Sequence, residues 1–471
     1  MGNEEPVDTT ADAYPLTEPV PVAQGPRPWR STLDSLSVPN FRLFTGSNII
    51  AMTATWMQRI AQDWLVFELT GSVAAVGITV AMQFAPMLIF GLYGGVIIDR
   101  YSKRMLLMLT QSIAAVFSGL LAVLTLTGVV QAWHVWAIAL IIGLVTVIDN
   151  PTRQVFVHEI VGPRYLRNAI TVNSSVFQLG ALIGPALSGA LIVAVGAGWS
   201  FGINAAACLV TVLALSRLKA SALHRTPPAP RRKGQLREGV CYVLAKPTIF
   251  WPLVMLGFLS VFALNMPVLL AAYASEVFGV GAAGYGLFNS LVAVGALTGA
   301  IASTRRTRIR LRTVIFCAGV WSLIQASSGL MPTEVTFAIV LVLGGFANQF
   351  YFMASNPLVQ MSSNVRVRGR VMSIYVLVLL GGQALGGPLM GWIVERVGPH
   401  VGMLISGLVP ALAAVVIALI LAHRHQLSLS VIVRGNFASV AARRTRRRIR
   451  VRRARSVRVS ARNTRRQARR G

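Results

Sequence analysis

Two opposite charges stand inside an apolar stretch near the start of the chain. Arg59 and Asp63 are four residues apart, one helical turn, with Gln58 and Gln62 beside them. A charge in the bilayer core costs about 2.5 kcal/mol or more, so such a residue normally faces a partner or a cavity. Two readings are open. In one, the pair neutralises itself and merely stabilises its helix. In the other, Asp63 takes up and releases a proton during a transport cycle, and Arg59 favours its charged form in one state only. Proton and cargo would then compete for one electrostatic site. A second acid, Asp149, precedes Asn150 and Pro151 and is suited to capping a helix or ordering a loop.

Other polar residues lie inside apolar stretches and are candidates for the wall of a central cavity. They are Gln83, Asn173, Gln178, Asn204, Asn265, Asn289, Asn348, Gln349 and Gln383. Trp56, Phe84, Phe177, Phe262 and Phe350 are candidates for its apolar surface. Each taken singly also fits a role as hydrogen-bonding or packing glue between helices. The chain has no Gly-x-x-x-x-Gly-Lys-Ser/Thr phosphate loop, no His/Cys cluster and no Gly-x-Ser-x-Gly elbow. No enzyme chemistry, cofactor or metal is expected, and an ion gradient is left as the energy source.

Helices across a membrane must position these residues. The chain is 54% hydrophobic and 13% charged, against roughly 25% charged for a soluble protein. Twelve apolar spans of crossing length are expected: 43–66, 74–98, 105–128, 133–150, 168–195, 199–218, 249–272, 284–303, 313–331, 334–355, 371–394 and 400–422. Alternate loops are basic: Arg100, Lys103 and Arg104; Arg153, Arg164 and Arg167; Arg231 to Lys233; Arg305 to Arg312; and Arg366 to Arg370. The intervening loops hold Glu68, Glu276, Glu334, Glu395 and a single Arg396. By the positive-inside rule both termini are cytoplasmic. Five segments result: a disordered arm at 1–38, a six-helix half at 39–218, a cytoplasmic linker at 219–248, a second half at 249–422, and a disordered Arg-rich tail at 423–471. The net charge of +29 is concentrated in the loops and that tail. Anionic lipid is the expected partner of the tail, and no folded module or interleaved aromatics support specific nucleic-acid binding. Cys208, Cys241 and Cys317 have no metal-ligand or disulfide spacing.

A phrase near the end of the fifth span returns in the eleventh. Gly184 and Pro185 follow Ala181, and Gly387 and Pro388 follow Ala384, with Gly391 close to where Gly189 stands. Asn150-Pro151 is echoed by Asn356-Pro357. Proline inside a helix is tolerated in a membrane when neighbours approach closely. The repeat points to a duplicated bundle, and such bundles are mostly transporters.

The loop after the second span carries Gly95, Asp99, Arg100, Lys103 and Arg104. This resembles the Gly-x-x-x-Asp-Arg-x-Gly-Arg-Arg signature of the major facilitator superfamily, with Ser102 in place of the second Gly. The resemblance implies a latch between the halves on the cytoplasmic side, involving Asp99 and Arg100, and the expected cytoplasmic gate is Gly95, Asp99, Arg100, Arg104, Asp149 and Arg153. The second-half copy, from Gly299 to Arg305, has Ser303 where the Asp would stand, so a latch would depend on the first copy. Gly180, Gly184, Pro185 and Gly189 resemble the fifth-helix motif of exporters in that superfamily, with Ser188 in place of one Gly. Trp56 to Ser72, Asp149 to Gln154, Asn168 to Ser175 and Arg368 to Ser373 resemble the enterobactin-exporter-like branch of siderophore and drug exporters. The resemblance covers about 38–422 and implies two pseudo-symmetric six-helix halves, all α, in the cell membrane. It implies export of a small amphiphilic substrate, with proton antiport and alternating access expected from the charges above. A monomer is expected. The alternatives are a membrane sensor or assembly protein on the same fold, and an uncoupled lipid flippase.

Overall fold

The computed structural model describes residues 34–219, 222–224, 235–303, 310–364 and 367–424. Residues 1–33 of the N-terminal arm, nearly all of the Arg-rich tail and most of the basic part of the linker lie outside these residues; the end of the expected disordered arm is ordered, with Ser35 buried and donating to Asn168 Oδ1 at 2.9 Å. Everything described is helix or short connection. The first half is α1 (Pro39–Thr70), α2 (Val73–Arg100), α3 (Lys103–Leu126), α4 (Ala132–Gly162), α5 (Asn168–Val195) and α6 (Gly198–Ser216). A short helix, α7 (Gln235–Ala245), lies within the linker. The second half is α8 (Pro247–Val277), α9 (Gly281–Ser303), α10 (Leu311–Ser328), α11 (Glu334–Ser362), α12 (Arg368–Val397) and α13 (Pro399–Arg424).

Ten of these helices are long and apolar enough to cross a membrane. The other two of the expected twelve, α1 and α10, are more polar. α1 holds the Gln58–Asp63 cluster and α10 has Arg312, Gln325 and three serines. The described residues form a bundle built only of helices, with the lengths and composition of a multi-pass membrane protein.

Local sequence sets the breaks. Pro39 opens α1, where its missing amide costs nothing, and Gly71 closes it at φ 65°, donating to the Phe67 carbonyl. Ser72 then caps α2 by accepting from the Ala75 amide at 3.1 Å. Helix continues through Pro151 and stops at Gly162, whose φ of 65° and ψ of −177° separate α4 from α5. The expected fourth span ended at 150. The helix is longer because a membrane-edge estimate stops at polarity, whereas backbone hydrogen bonding does not.

α8 is irregular. It widens into π-helical turns at Leu259–Ala263 and Tyr273–Val277 and is interrupted at Asn265. The Asn265 amide group donates to the Ser260 carbonyl at 3.1 Å and the Val261 carbonyl at 2.8 Å. Pro267, which has no amide hydrogen, follows. α7 docks on the second half rather than standing free. Val243 is buried among its core residues, and Lys246, just beyond, donates to the Ser362 carbonyl at 2.6 Å.

The halves meet along two glycine seams, and the repeated phrase forms both. On α5, a Cβ at Gly189 would lie 3.0 Å from the Gly286 Cα of α9. On α12, a Cβ at Gly387 would lie 2.6 Å from the Gly77 carbonyl of α2, and one at Gly391 would lie 2.7 Å from the Ala74 Cα. Only residues without a side chain allow backbones this close. Both seams lie toward the end where α1 turns into α2, opposite the basic loops. There a hydrophobic cluster draws on both halves, including Trp64, Val76, Tyr285 and Met390.

Candidate transport site

A cavity of about 380 Å³ lies between the halves. α1 contributes Trp56, Arg59 and Asp63, and α2 contributes Gln83 and Phe84. α5 adds Phe177, Gln178 and Pro185, while α9 adds Asn289. Asn348, Gln349 and Phe352 come from α11, and Gln383 comes from α12. The interruption in α8 places Met266 and Pro267 on the same wall. The lining is mostly apolar with a few converging polar groups, the composition of a small-molecule site.

Asp63 is the acid of this site, and it is 2% exposed. One carboxylate oxygen accepts from Gln83 Nε2 at 3.3 Å, within its own half. The other accepts from the Tyr285 hydroxyl at 3.4 Å, across the seam from α9. Tyr285 also stacks on Trp64, with ring centroids 5.6 Å apart. Sequence reasoning missed Tyr285, because a contact between residues 222 positions apart has no local signal.

Arg59 does not close onto Asp63. The ion pairs within 4.0 Å among the described residues are Lys103–Glu159 and Asp149–Arg153. Arg59 instead lies over the Trp56 ring at 5.3 Å and the Phe84 ring at 5.4 Å. Cation–π attraction spreads its charge over two aromatic faces and leaves the Asp63 oxygens to neutral donors. The self-neutralising helical pair is therefore not formed.

Beside this cavity, a second one of about 190 Å³ is lined by the first half except for Leu380 of α12. Gln58, Arg59, Gln62, Gln83, Asn204, Asp149 and Arg153 border it. Gln58 serves as glue here: its oxygen accepts from Ser118 at 2.7 Å and Asn204 at 2.6 Å, joining α1, α3 and α6. Gln62 has its Nε2 buried without a partner, and its oxygen lies 3.5 Å from Gln83 Nε2.

Asp149 and Arg153 form a buried ion pair at 2.6 Å on α4. Asp149 also accepts from Thr110 at 2.8 Å and Gln111 at 2.9 Å, and Arg153 donates to Asn48 at 2.7 Å. These partners belong to the first half. Because α4 continues past Pro151, Asp149 caps no helix end; it ties α4 to α3. Arg104 likewise stays within its half, donating to the Leu215 and Ser216 carbonyls at the end of α6. Arg100 is exposed. Gly95 and Asp99 lie on α2, but the packing at Gly95 and the side chain of Asp99 are outside the described set, so a latch through Asp99 lies outside it too.

The remaining candidates divide. Gln178, Asn289 and Gln383 line the central cavity. Asn173 accepts from Asn48 at 3.0 Å and faces a separate pocket of about 160 Å³. Asn265 is buried at the break in α8 and away from the cavity, because the carbonyls freed there claim its amide. Phe262 and Phe350 are also outside the lining. The fifth-helix glycines serve two contacts. A Cβ at Gly180 would meet Met52 at 3.0 Å and one at Gly184 would meet the Trp56 Cβ at 2.6 Å, so both seat α5 on α1. Gly189 meets the other half.

At the opposite end from the basic loops, Glu395 of α12 reaches over the seam to the start of α2. It accepts from the Ala74 amide at 3.0 Å and from the Ser72 hydroxyl. A carboxylate at a helix N-terminus is favourably placed against the helix dipole.

A family described as transmembrane secretion effector matches residues 30–441. Among curated proteins, the enterobactin exporter EntS of Salmonella typhimurium is 25% identical over 385 residues, covering 80% of this chain and 92% of that one. EntS of Escherichia coli O1:K1 is 24% identical over 400 residues, covering 83% and 94%. Among solved structures, a POT family transporter in complex with a thioalcohol-conjugated peptide aligns with a TM-score of 0.67 at 13% identity, covering 83% of this chain and 97% of that one. A bacterial homolog of the human lysosomal transporter Spinster, inward-facing and occupied, aligns with a TM-score of 0.64 at 16% identity, covering 84% and 97%.

Proposed function

Because the chain belongs to the transmembrane secretion effector family of the major facilitator superfamily, we propose that its central cavity carries a small amphiphilic compound out of the cytoplasm by proton antiport. The fold and the relatives make it a transporter of small molecules. Direction, coupling and cycle are the proposal. The basic loops orient α1 so that its Arg59–Asp63 turn lies toward the outer side, with both termini cytoplasmic. The glycine seams then close the outer end, which supports reading this form as the one open to the cytoplasm.

One observation carries the coupling: Asp63 lies on the cavity wall and is hydrogen-bonded by both halves at once. With the outer seam closed, Gln83 and Tyr285 both donate to its oxygens, so this form accommodates the deprotonated acid. Parting the outer seam withdraws Tyr285 and opens Asp63 to the outer solution, where it takes a proton. Return to the closed-seam form brings the donors back and releases the proton inward. Cargo occupies the same wall in the deprotonated form and leaves when the proton arrives. Export is thereby tied to proton entry without ATP.

Everted vesicles containing the full chain test this. Enterobactin, the compound named for the relatives, is the first cargo to add. It, or an amphiphilic dye that competes with it, should dissipate an imposed proton gradient, and Asp63→Asn should abolish the effect. Retention of coupling by Asp63→Asn moves the proton to another acid and overturns this assignment.

A further inference from the structure

On the outer face of the first half, a groove of about 630 Å³ lies between α1 and α6, separate from the three cavities above. Arg42 and Arg217 stand at its basic-loop end, one in the first turn of α1 and the other just past the end of α6. Both are exposed, and among the described residues no acidic side chain borders the groove. Away from the two cations its walls are aliphatic: Leu43, Ile50, Val210 and Leu213, between 39% and 55% exposed. Gly46 forms part of its floor, with nothing within 4 Å of where a Cβ would point.

Such a groove fits an ordered amphiphile with an anionic head and a hydrocarbon chain. The helical spacing puts Arg42, Gly46 and Ile50 in one row on α1, and Val210, Leu213 and Arg217 in a facing row on α6. The cations thus lie at the level where lipid headgroups meet the bilayer, and the aliphatic rows run inward from them. Basic pockets between transmembrane helices on the cytoplasmic side suit anionic headgroups, and exposed aliphatic walls suit acyl chains. We propose that this groove is a binding site for one anionic phospholipid, its phosphate paired with Arg42 and Arg217 and an acyl chain laid over Gly46. The placement of Arg42 and Arg217 at one end of an aliphatic groove carries the proposal, independently of cargo or coupling. The proposed orientation assigns the lipid to the cytoplasmic leaflet.

Native mass spectrometry of the full chain, released from detergent with phosphatidylglycerol, phosphatidylethanolamine or inorganic phosphate added, tests it. The unsubstituted protein should retain one phosphatidylglycerol preferentially. The double variant Arg42→Gln/Arg217→Gln should weaken that retention on the order of tenfold or more. Gly46→Leu keeps both charges but fills the floor, and should lose the lipid to a similar extent with an unchanged lipid-free Tm. The Arg-rich tail is present in every variant, so a difference between them reports the groove. Equal retention by all three proteins overturns the site. Equal retention of both lipids by the unsubstituted protein overturns the anionic headgroup. Displacement of phosphatidylglycerol by inorganic phosphate at comparable concentration overturns the acyl-chain contact.

Discussion

The two halves share a fold and differ in chemistry. In the first half, Asp63, Asp149, Arg153 and Glu159 are buried, while the buried polar residues of the second half are all neutral among the described residues. The second half is filled instead by stacked rings. Tyr273 lies on Phe337 with centroids 4.6 Å apart, and Phe288 meets Phe337 edge-on at 5.2 Å. Its polar centre is soft: Gln325 donates to the Met266 sulfur at 2.7 Å and lies near Ser406. The two halves are like scaffolds. One now carries the buried charged groups, and the other has a neutral interior that reaches them through Tyr285. A bundle with proton chemistry in both halves would need two acids kept in step; in the proposed cycle one acid reads the position of the opposite half.

The contrast can be broken most forcefully at Arg153. Removing its guanidinium in Arg153→Ala leaves Asp149 buried without its counter-charge, which should cost about 3–5 kcal/mol. Thermal unfolding in detergent checks this, and an unchanged Tm would show that Asp149 does not depend on its partner. Next come the seams, where the halves are alike. Gly387→Ala adds a methyl 2.6 Å from the Gly77 carbonyl and should destabilise the closed outer end by about 1–3 kcal/mol. Spin-label distances between the outer ends of α2 and α12 should lengthen.

Tyr285→Phe sharpens the reading of the cross-half contact. It keeps the stack on Trp64 and removes one long hydrogen bond, so the outward-open population should rise by about 1 kcal/mol, roughly fivefold. The same labels read it, and no change would show that the hydroxyl is not sensed. The smallest effect is expected at Gln325→Leu in the neutral half. Its acceptors there are weak, and stability should change by less than about 1 kcal/mol.

Much of the scaffold was legible because membrane crossing writes itself in hydropathy and loop charge. Even polar α1 was readable, since basic and acidic loops had to alternate. The repeated phrase around Pro185 and Pro388 pointed to a duplicated chain because close packing needs small residues at fixed intervals. The site was readable only in outline. Arg59 and Asp63 were identified by their cost in an apolar span, but their spacing suggested a pair, and Trp56 and Phe84 outcompete Asp63 for the guanidinium. Asn265 looked like a cavity residue because its role depends on a helix break invisible to periodicity. Tyr285 lay beyond reach for a different reason: its meaning comes from a surface created only when the halves associate.

The seams have a mechanical consequence. Where large side chains interlock, separation requires each knob to leave its hole and find a new rotamer. At Gly77 and Gly387, and at Gly189 and Gly286, backbone lies against backbone with no knob to withdraw. In the proposed cycle two smooth rails of this kind part without a side chain leaving a hole, so the resistance to opening falls on what lies beside them: the apolar cluster, with Tyr285 stacked on Trp64, and the polar ties, Glu395 at the mouth and the Tyr285 hydroxyl one level deeper.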